Sequence, residues 1–395
     1  MNRKLLAEST ASSRGFFMDK PKGRTPRLLH VHGSFSLGGK EARAVRLMNL
    51  WGDRACHSVI SAAPEAMGAR AEIHPGTPVS FPASPPLSGR PGLARFRALG
   101  RFMADYDLIL TYNWGAMDAV MAHRIWAKSM RLPPLIHHED GFNADEANGL
   151  KPQRNLYRRM ALQRADAMVV PSIRLDEIAR HVWRQPRRKV HLIRNGIDVA
   201  RYGQEPEPLP NLVRSPGKLL VVTLAGLRPV KNIPRLVRAV APLRDRLQLV
   251  IIGEGPESGA IIEEARRCGL HDLSMAGFLP DPWRYLGQFD IFALSSDSEQ
   301  FPISLVEAMA AGLPVASMDV GDVTQMVSVE NRPFVVEEEG GLSRALDRLA
   351  AGHDLRRRLG CANRHRAERD FNEAAMVDAY AALYGQALSS PHILR

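Results

Sequence analysis

Phe289 to Gly321 reads FDIFALSSDSEQFPISLVEAMAAGLPVASMDVG. The apolar run Ile291 to Leu294 gives way to a Ser/Asp/Glu loop and then to a helical segment from Ile303 to Ala311. Gly312 and Pro314 end that segment before a second apolar run, Val315 to Met318. Strand, loop, helix, strand is the repeating unit of a parallel α/β sheet. Pro302 suits the first helical position, where its missing N–H costs nothing, so the free amides just after it point back at the loop. Such a helix start attracts anions. Glu299 in the loop and Glu307 about one turn into the helix bracket those amides. A polyhydroxylated, anionic ligand fits between them.

Two glutamates at this spacing are common on solvated surfaces, so their context decides the reading. The string EQFPISLVEAMAAGLPV, Glu299 to Val315, resembles the signature of retaining GT-B glycosyltransferases, specifically glycosyltransferase family 4. That resemblance implies that Glu299 lies by the donor sugar and that Glu307 holds the nucleotide ribose. It also implies that Phe301, Ile303 and Ser304 line the donor site. One departure shows: Gln300 stands where the family pattern has glycine, at a place of close backbone approach to the sugar.

At 395 residues the chain exceeds what one core normally supports, so two domains are expected. No run approaches eighteen apolar residues, about the length that crosses a bilayer. Residues 1–26 mix Lys, Arg, Ser, Pro and Gly, with apolar stretches too short for a signal-peptide core, and are expected to be a disordered arm. Cys56, Cys268 and Cys361 are widely spaced and odd in number, which suits reduced thiols in a cytoplasm. The 53 basic and 42 acidic residues leave +11. Thirteen Lys/Arg against four Asp/Glu fall between Lys151 and Arg201. No helix-turn-helix, zinc-finger or RNP-like pattern accompanies them, so no nucleic-acid partner is expected. A solvated basic face and contact with an anionic membrane, at its inner face, both fit.

The first domain, residues 27–200, opens on the strand-like RLLHVHG and a glycine pair, Gly38 and Gly39, before a helix from Glu41 to Leu50. GGKE resembles the family's G-G-x-E, and the pair joins the expected donor-binding residues. Asp105 and Asp107 form a D-x-D, but they directly precede a strand, so capping is the better account and no metal is expected. Tyr112, Asn113 and Trp114 end that strand, where open parallel sheets place ligands. The strand Leu135 to His137 runs into His138-Glu139-Asp140-Gly141-Phe142. The family pattern has histidine immediately before this glycine, so the catalytic-side polar group is Asp140 or His138. Val190 to Ile197 reads as a further strand, and its NGID end again resembles the family's first-domain segments.

A proline-bearing linker, residues 201–217, leads to a second domain, 218–371. Its first strand ends at Ala225-Gly226-Leu227-Arg228-Pro229-Val230-Lys231-Asn232, where Arg228 and Lys231 lie just past the strand's carboxyl end. Their placement resembles the family's G-R-L-x-x-x-K-G, whose Arg and Lys hold the donor diphosphate. A last helix, 372–388, is expected to return to the first domain. The resemblance therefore implies a GT-B fold, two Rossmann-like doubly wound parallel-sheet domains facing across a cleft. It implies glycosyl transfer, with retention, from a nucleotide-diphosphate sugar to a glycan or lipid-linked acceptor in cell-envelope synthesis, with no metal and no cofactor. A non-catalytic GT-B scaffold, or another GT-B enzyme such as a nucleotide-sugar epimerase, is the alternative.

Overall fold

Strands that are apolar along their whole length need cover on both faces, which helices of parallel crossovers supply. In the computed structural model, which describes residues 24–142, 146 and 149–395, the first sheet holds seven strands, the central ones largely of this kind. They are β1 (Arg27–His32), β2 (Cys56–Ser61), β3 (Val79–Ser80), β4 (Leu108–Tyr112), β5 (Leu135–His138), β6 (Ala167–Val170) and β7 (Val190–Leu192). Between them run α1 (Gly39–Trp51), α2 (Leu93–Met103), α3 (Met117–Met130), α4 (Pro152–Ala161) and the short α5 (Ile173–Glu177). The second sheet holds six: β8 (Leu219–Leu224), β9 (Leu247–Ile252), β10 (Leu273–Gly277), β11 (Ile291–Leu294), β12 (Val315–Met318) and β13 (Val335–Val336). Its helices are α6 (Ile233–Val240), α7 (Ser258–Arg267), α8 (Ile303–Ala310), α9 (Val323–Met326), α10 (Glu339–Ala351) and α11 (His353–Asp370). The last helix is α12 (Glu373–Ala387).

The strand orders are β3-β2-β1-β4-β5-β6-β7 and β10-β9-β8-β11-β12-β13. The pairing is parallel at the centre of each sheet, where β1 meets β2 and β4, and β8 meets β9 and β11. In both sheets the chain leaves the first strand for one side and later crosses to the other. This reversal opens a crevice at the carboxyl ends of β1 and β4 in one domain and of β8 and β11 in the other. Side chains alternate along the strands: Leu29 and Val31 pack under α2 and α3, while Leu28 joins α1 and α12 on the opposite face. The second sheet is likewise covered on both faces.

Three expected segments take different shapes. Val190 to Ile197 is a strand only to Leu192, because the NGID end leaves the sheet to meet α12. There Ile197 N donates to Phe371 O at 3.0 Å and Glu373 N donates to Ile197 O at 2.9 Å. The expected linker 201–217 is built into the second domain, whose core includes Tyr202 and Leu209, and Glu207 pairs with Arg284 at 2.6 Å. Residues 1–23 of the expected arm lie outside the described residues, but Arg24 already pairs with Asp107 at 2.8 Å. Finally, α12 buries Met376, Tyr380, Ala381 and Tyr384 in the first domain's core beside Trp51 and Tyr112. Arg46 of α1 clamps its start with two 2.7 Å hydrogen bonds to Glu373.

Candidate active site

Lys231 and Glu299 are 68 residues apart in sequence, yet Lys231 Nζ donates to Glu299 Oε1 at 2.5 Å. The switch point brings them together, since Lys231 follows β8 and Glu299 follows β11, its neighbour in the sheet. The two loops are knitted by backbone and side chain. Asp297 N donates to Val230 O at 2.8 Å, Ser295 Oγ donates to Lys231 O at 3.1 Å, and Asn232 Nδ2 donates to Asp297 Oδ1 at 3.1 Å. Asn232 takes the left-handed conformation at φ 43° and caps α6 through Arg235 N, a geometry asparagine tolerates better than most residues. Ser296 Oγ donates to the same Glu299 oxygen at 2.7 Å. Beneath, Gly253 sits at φ 139°, and a Cβ there would lie 1.9 Å from Ala225 O. Only glycine lets the β9 loop support the Arg228-bearing loop this closely.

Arg228 is exposed and, among the described residues, its guanidinium has no partner. Pro302 is one position earlier than expected: it is the N-cap of α8, with φ −70° and ψ 109°, and no side chain caps the helix. The amides of Ile303 and Ser304 therefore open the helix facing the crevice. The Phe301 ring turns into the core, edge-on to Phe371 at 5.6 Å, so only its backbone is available to a ligand. Glu307 accepts a 3.0 Å hydrogen bond from Tyr202 Oη, and burial pushes its carboxyl up to about 7.

The first domain closes over this edge. A Cβ on Gly39 would lie 3.4 Å from Ile303 Cδ1, and one on Gly38 would lie 3.0 Å from its own helix's Glu41 Oε2. Gly141, at φ 148°, would place a Cβ 3.1 Å from Gln300 Cγ. On the same seam Asp322 accepts from Ile173 N at 2.5 Å and Arg174 N at 3.2 Å, so a second-domain carboxylate caps α5 of the first domain. No local pattern signals this pairing, because the contact spans 149 residues.

Neither residue expected on the catalytic side of the first domain is free in the cleft. His138 is 1% exposed. Its Nε2 meets Tyr384 Oη at 2.7 Å, and Nδ1 meets Thr111 O at 3.2 Å. Burial, then Arg43, hold the imidazole well below its usual pKa, so it is neutral and faces α12 rather than substrate. Strand alternation explains this, since Ile136 and His138 share the α12 face. Asp140 does lie at the cleft edge, but Arg43 grips both its oxygens, with Nη2 to Oδ2 at 2.8 Å, and also donates to Asn195 Oδ1 at 2.8 Å. Asn113 Oδ1 accepts from Asp140 N at 2.8 Å. Asp140 and Arg43 together tie α1 to the loops of Asn113 and Asn195. Tyr112, at the strand end where a ligand was expected, is 2% exposed under the floor. Asp107 receives Arg27 N at 2.8 Å at the far end of β4, the strand-start role expected of it.

Paired doubly wound domains with a lysine, a carboxylate and an open helix start at the facing crevices define a GT-B glycosyltransferase fold. The model of "Glycosyltransferase Family 4" matches residues 37–201, and that of "Glycosyl transferases group 1" matches residues 207–366. The chain belongs to this glycosyltransferase family. EpsF of Bacillus subtilis is 31% identical over 52% of this chain and 58% of its own length. The D-inositol 3-phosphate glycosyltransferase of Nocardia farcinica is 28% identical over 65% of this chain and 61% of its own. The matches thus span about three-fifths of these relatives. Anabaena HepE, solved in complex with UDP-glucose, shares the fold with a TM-score of 0.72 at 19% identity, covering 91% of this chain and 100% of HepE.

Proposed function

We propose that the protein transfers a glycosyl group, with retention of anomeric configuration, from a nucleotide-diphosphate sugar to an acceptor hydroxyl in the synthesis of envelope polysaccharide or glycolipid. The observation that carries this reading is the Lys231–Glu299 pair beside the uncapped start of α8. Negative charge grows on the leaving diphosphate as the glycosidic bond breaks. Lys231, Arg228 and the amides of Ile303 and Ser304 are preplaced to offset it, so in this reading neutralisation needs no bound metal. Diphosphate binding draws Lys231 toward phosphate, leaving Glu299 to face the positive charge that develops at the anomeric carbon. Either Glu299 attacks that carbon, or it stabilises the sugar while a phosphate oxygen takes the acceptor's proton in a same-face displacement. UDP-sugars are the first donors to try, because HepE was solved with UDP and with UDP-glucose.

The two glutamates should separate kinetically. Glu299→Gln should lower turnover while leaving nucleoside-diphosphate affinity nearly unchanged. Glu307→Ala should mainly raise the donor's KM, since a ribose contact is the same in ground and transition states. An ionised carboxylate accepts from ribose hydroxyls more strongly than the protonated carboxyl does, so wild-type nucleotide binding should tighten as pH rises through about 7, and Glu307→Gln should flatten that dependence. Steady-state kinetics and calorimetric titration measure both. Wild-type turnover in Glu299→Gln would remove its assigned role, and a sugar product of inverted configuration would sink retention. A purified protein that never cleaves donor would point to the scaffold alternative.

In the same reading the acceptor is carried on an anionic membrane. Among the described residues no helix is long and apolar enough to cross a bilayer. Arg159, Arg164, Arg184, Arg187 and Arg188 are exposed without an ion-pair partner among those residues, and the side chains of Leu156 and Val182 in the same stretch of chain are exposed as well. Co-sedimentation with phosphatidylglycerol vesicles should exceed that with phosphatidylcholine and fall with added salt. Equal binding to both at low salt would count against it.

A further inference from the structure

Glutamine, not glycine, directly follows Glu299. Gln300 spans the seam between the domains: its Cγ lies 3.1 Å from the point where a Cβ on Gly141 would stand. The backbone around it is fixed, since a Cβ on Gly321 would lie 2.4 Å from Glu299 O and 3.0 Å from Gln300 O. The adjustable part is therefore the side chain. Its amide oxygen is buried and, among the described residues, accepts no hydrogen bond. Buried carbonyl oxygens are nearly always satisfied, by protein, water or ligand. The other polar groups nearby are committed, Asp140 to Arg43 and Glu299 to Lys231 and Ser296. An acceptor oxygen that is enclosed, unpaired and one residue from the proposed sugar-facing carboxylate suits a ligand group that donates.

We propose that Gln300 determines which sugar the donor carries: its amide oxygen accepts a hydrogen bond from a ring hydroxyl of the transferred hexose, and its bulk against Gly141 limits the space for that ring. This rests on the donor reading above. Gly141 is the counterpart, because any side chain there would meet Gln300 and would also have to adopt φ 148°. A glycine at 300 would leave both the hydrogen bond and the size limit to the backbone alone.

The test compares matched ligands, UDP with UDP-glucose, GDP with GDP-mannose and ADP with ADP-glucose, by calorimetric titration of the full-length protein. The pair that binds tightest is then measured on Gln300→Met, which keeps length but loses the acceptor, and on Gln300→Gly. Both variants should bind the nucleoside diphosphate within about twofold of wild type while binding the sugar nucleotide about tenfold more weakly, the scale of one lost hydrogen bond to a buried partner. Gln300→Gly should also accept bulkier sugars, read as a narrowed ratio between UDP-glucose and UDP-N-acetylglucosamine. If Gln300→Met binds both ligands as wild type does, the hydrogen-bond role is overturned whether or not Gln300→Gly differs. If no pair binds wild-type protein, the donor reading itself fails and takes this inference with it. Binding of a nucleoside diphosphate with an unchanged sugar contribution in both variants keeps the donor reading and overturns only the role of Gln300.

Discussion

Replacing Lys231 with alanine should lower kcat/KM for glycosyl transfer about 100-fold or more, the scale seen when one preorganised charge-stabilising donor is lost. The structure sharpens the reason. Lys231 is held with little exposure between Glu299 and the loop of Asp297, so its ammonium needs little reorganisation to meet a diphosphate. Arg228 was expected to act equally, but it is exposed and unpaired among the described residues, so water screens it and its conformation is unset. Arg228→Ala should therefore cost less, about tenfold. Both variants should fold, which circular dichroism and melting curves check. Near-normal turnover of Lys231→Ala with saturating donor would remove the diphosphate role from this loop.

Acid should unfold the protein well before its carboxylates are fully protonated. His30, His32 and His138 lie in the first domain's interior, where burial holds each well below the usual imidazole value, and burial lowers His57 to about 4. His30 Nε2 lies 3.0 Å from His57 Nδ1, and its Nδ1 lies 3.0 Å from Tyr112 Oη, so protons have no ready place in this network. The sign follows from linkage. Above pH about 6.5 these groups are neutral in both states and stability is full. Below it the unfolded chain takes up protons that the folded chain refuses, so stability falls as pH falls through the window from 6.5 towards the folded values. By pH 5 His57 alone favours unfolding by about 2 kcal/mol, and His30, His32 and His138 act in the same direction. Glu307 works in the opposite sense. Its carboxyl is raised to about 7, so between 7 and the unfolded value of 4.5 the folded state binds the extra proton and gains stability as pH falls. That gain is about 2–3 kcal/mol at pH 5. The net expectation is a fall in stability between pH 8 and pH 5, because four histidines oppose one glutamate. Urea titrations at the two pH values measure it, and Glu307→Gln should steepen the loss by removing the opposing group. A flat profile would show that these imidazoles are hydrated or charged in the folded protein.

The readable and unreadable parts of the site divide along a physical line. The positions of Glu299, Glu307, Lys231 and Arg228 at the crevice edge were legible because each sits at a fixed offset from the strand or helix that carries it, whereas the ligand roles expected of them came from the family resemblance alone. The role of the first-domain loop was not. His138 and Asp140 are two residues apart, and pattern alone left either one as the catalytic-side group. Strand alternation and the arrival of α12 settle their surroundings: His138 goes under Tyr384, and Asp140 goes to Arg43.

Sequence by itself determined the two-domain parallel α/β architecture, since unbroken apolar strands alternating with amphipathic helices have few other ways to bury both faces. It also determined that charge and free amides collect at the carboxyl ends of β8 and β11. Tertiary structure alone decided which of these groups meet. The pairing of Lys231 with Glu299, the capping of α5 by Asp322 and the pressing of Gln300 against Gly141 join residues 68 to 159 positions apart. No local propensity encodes such contacts, because they are fixed only when sheet order sets which loops adjoin and packing of α12 and the linker sets how closely the two domains approach.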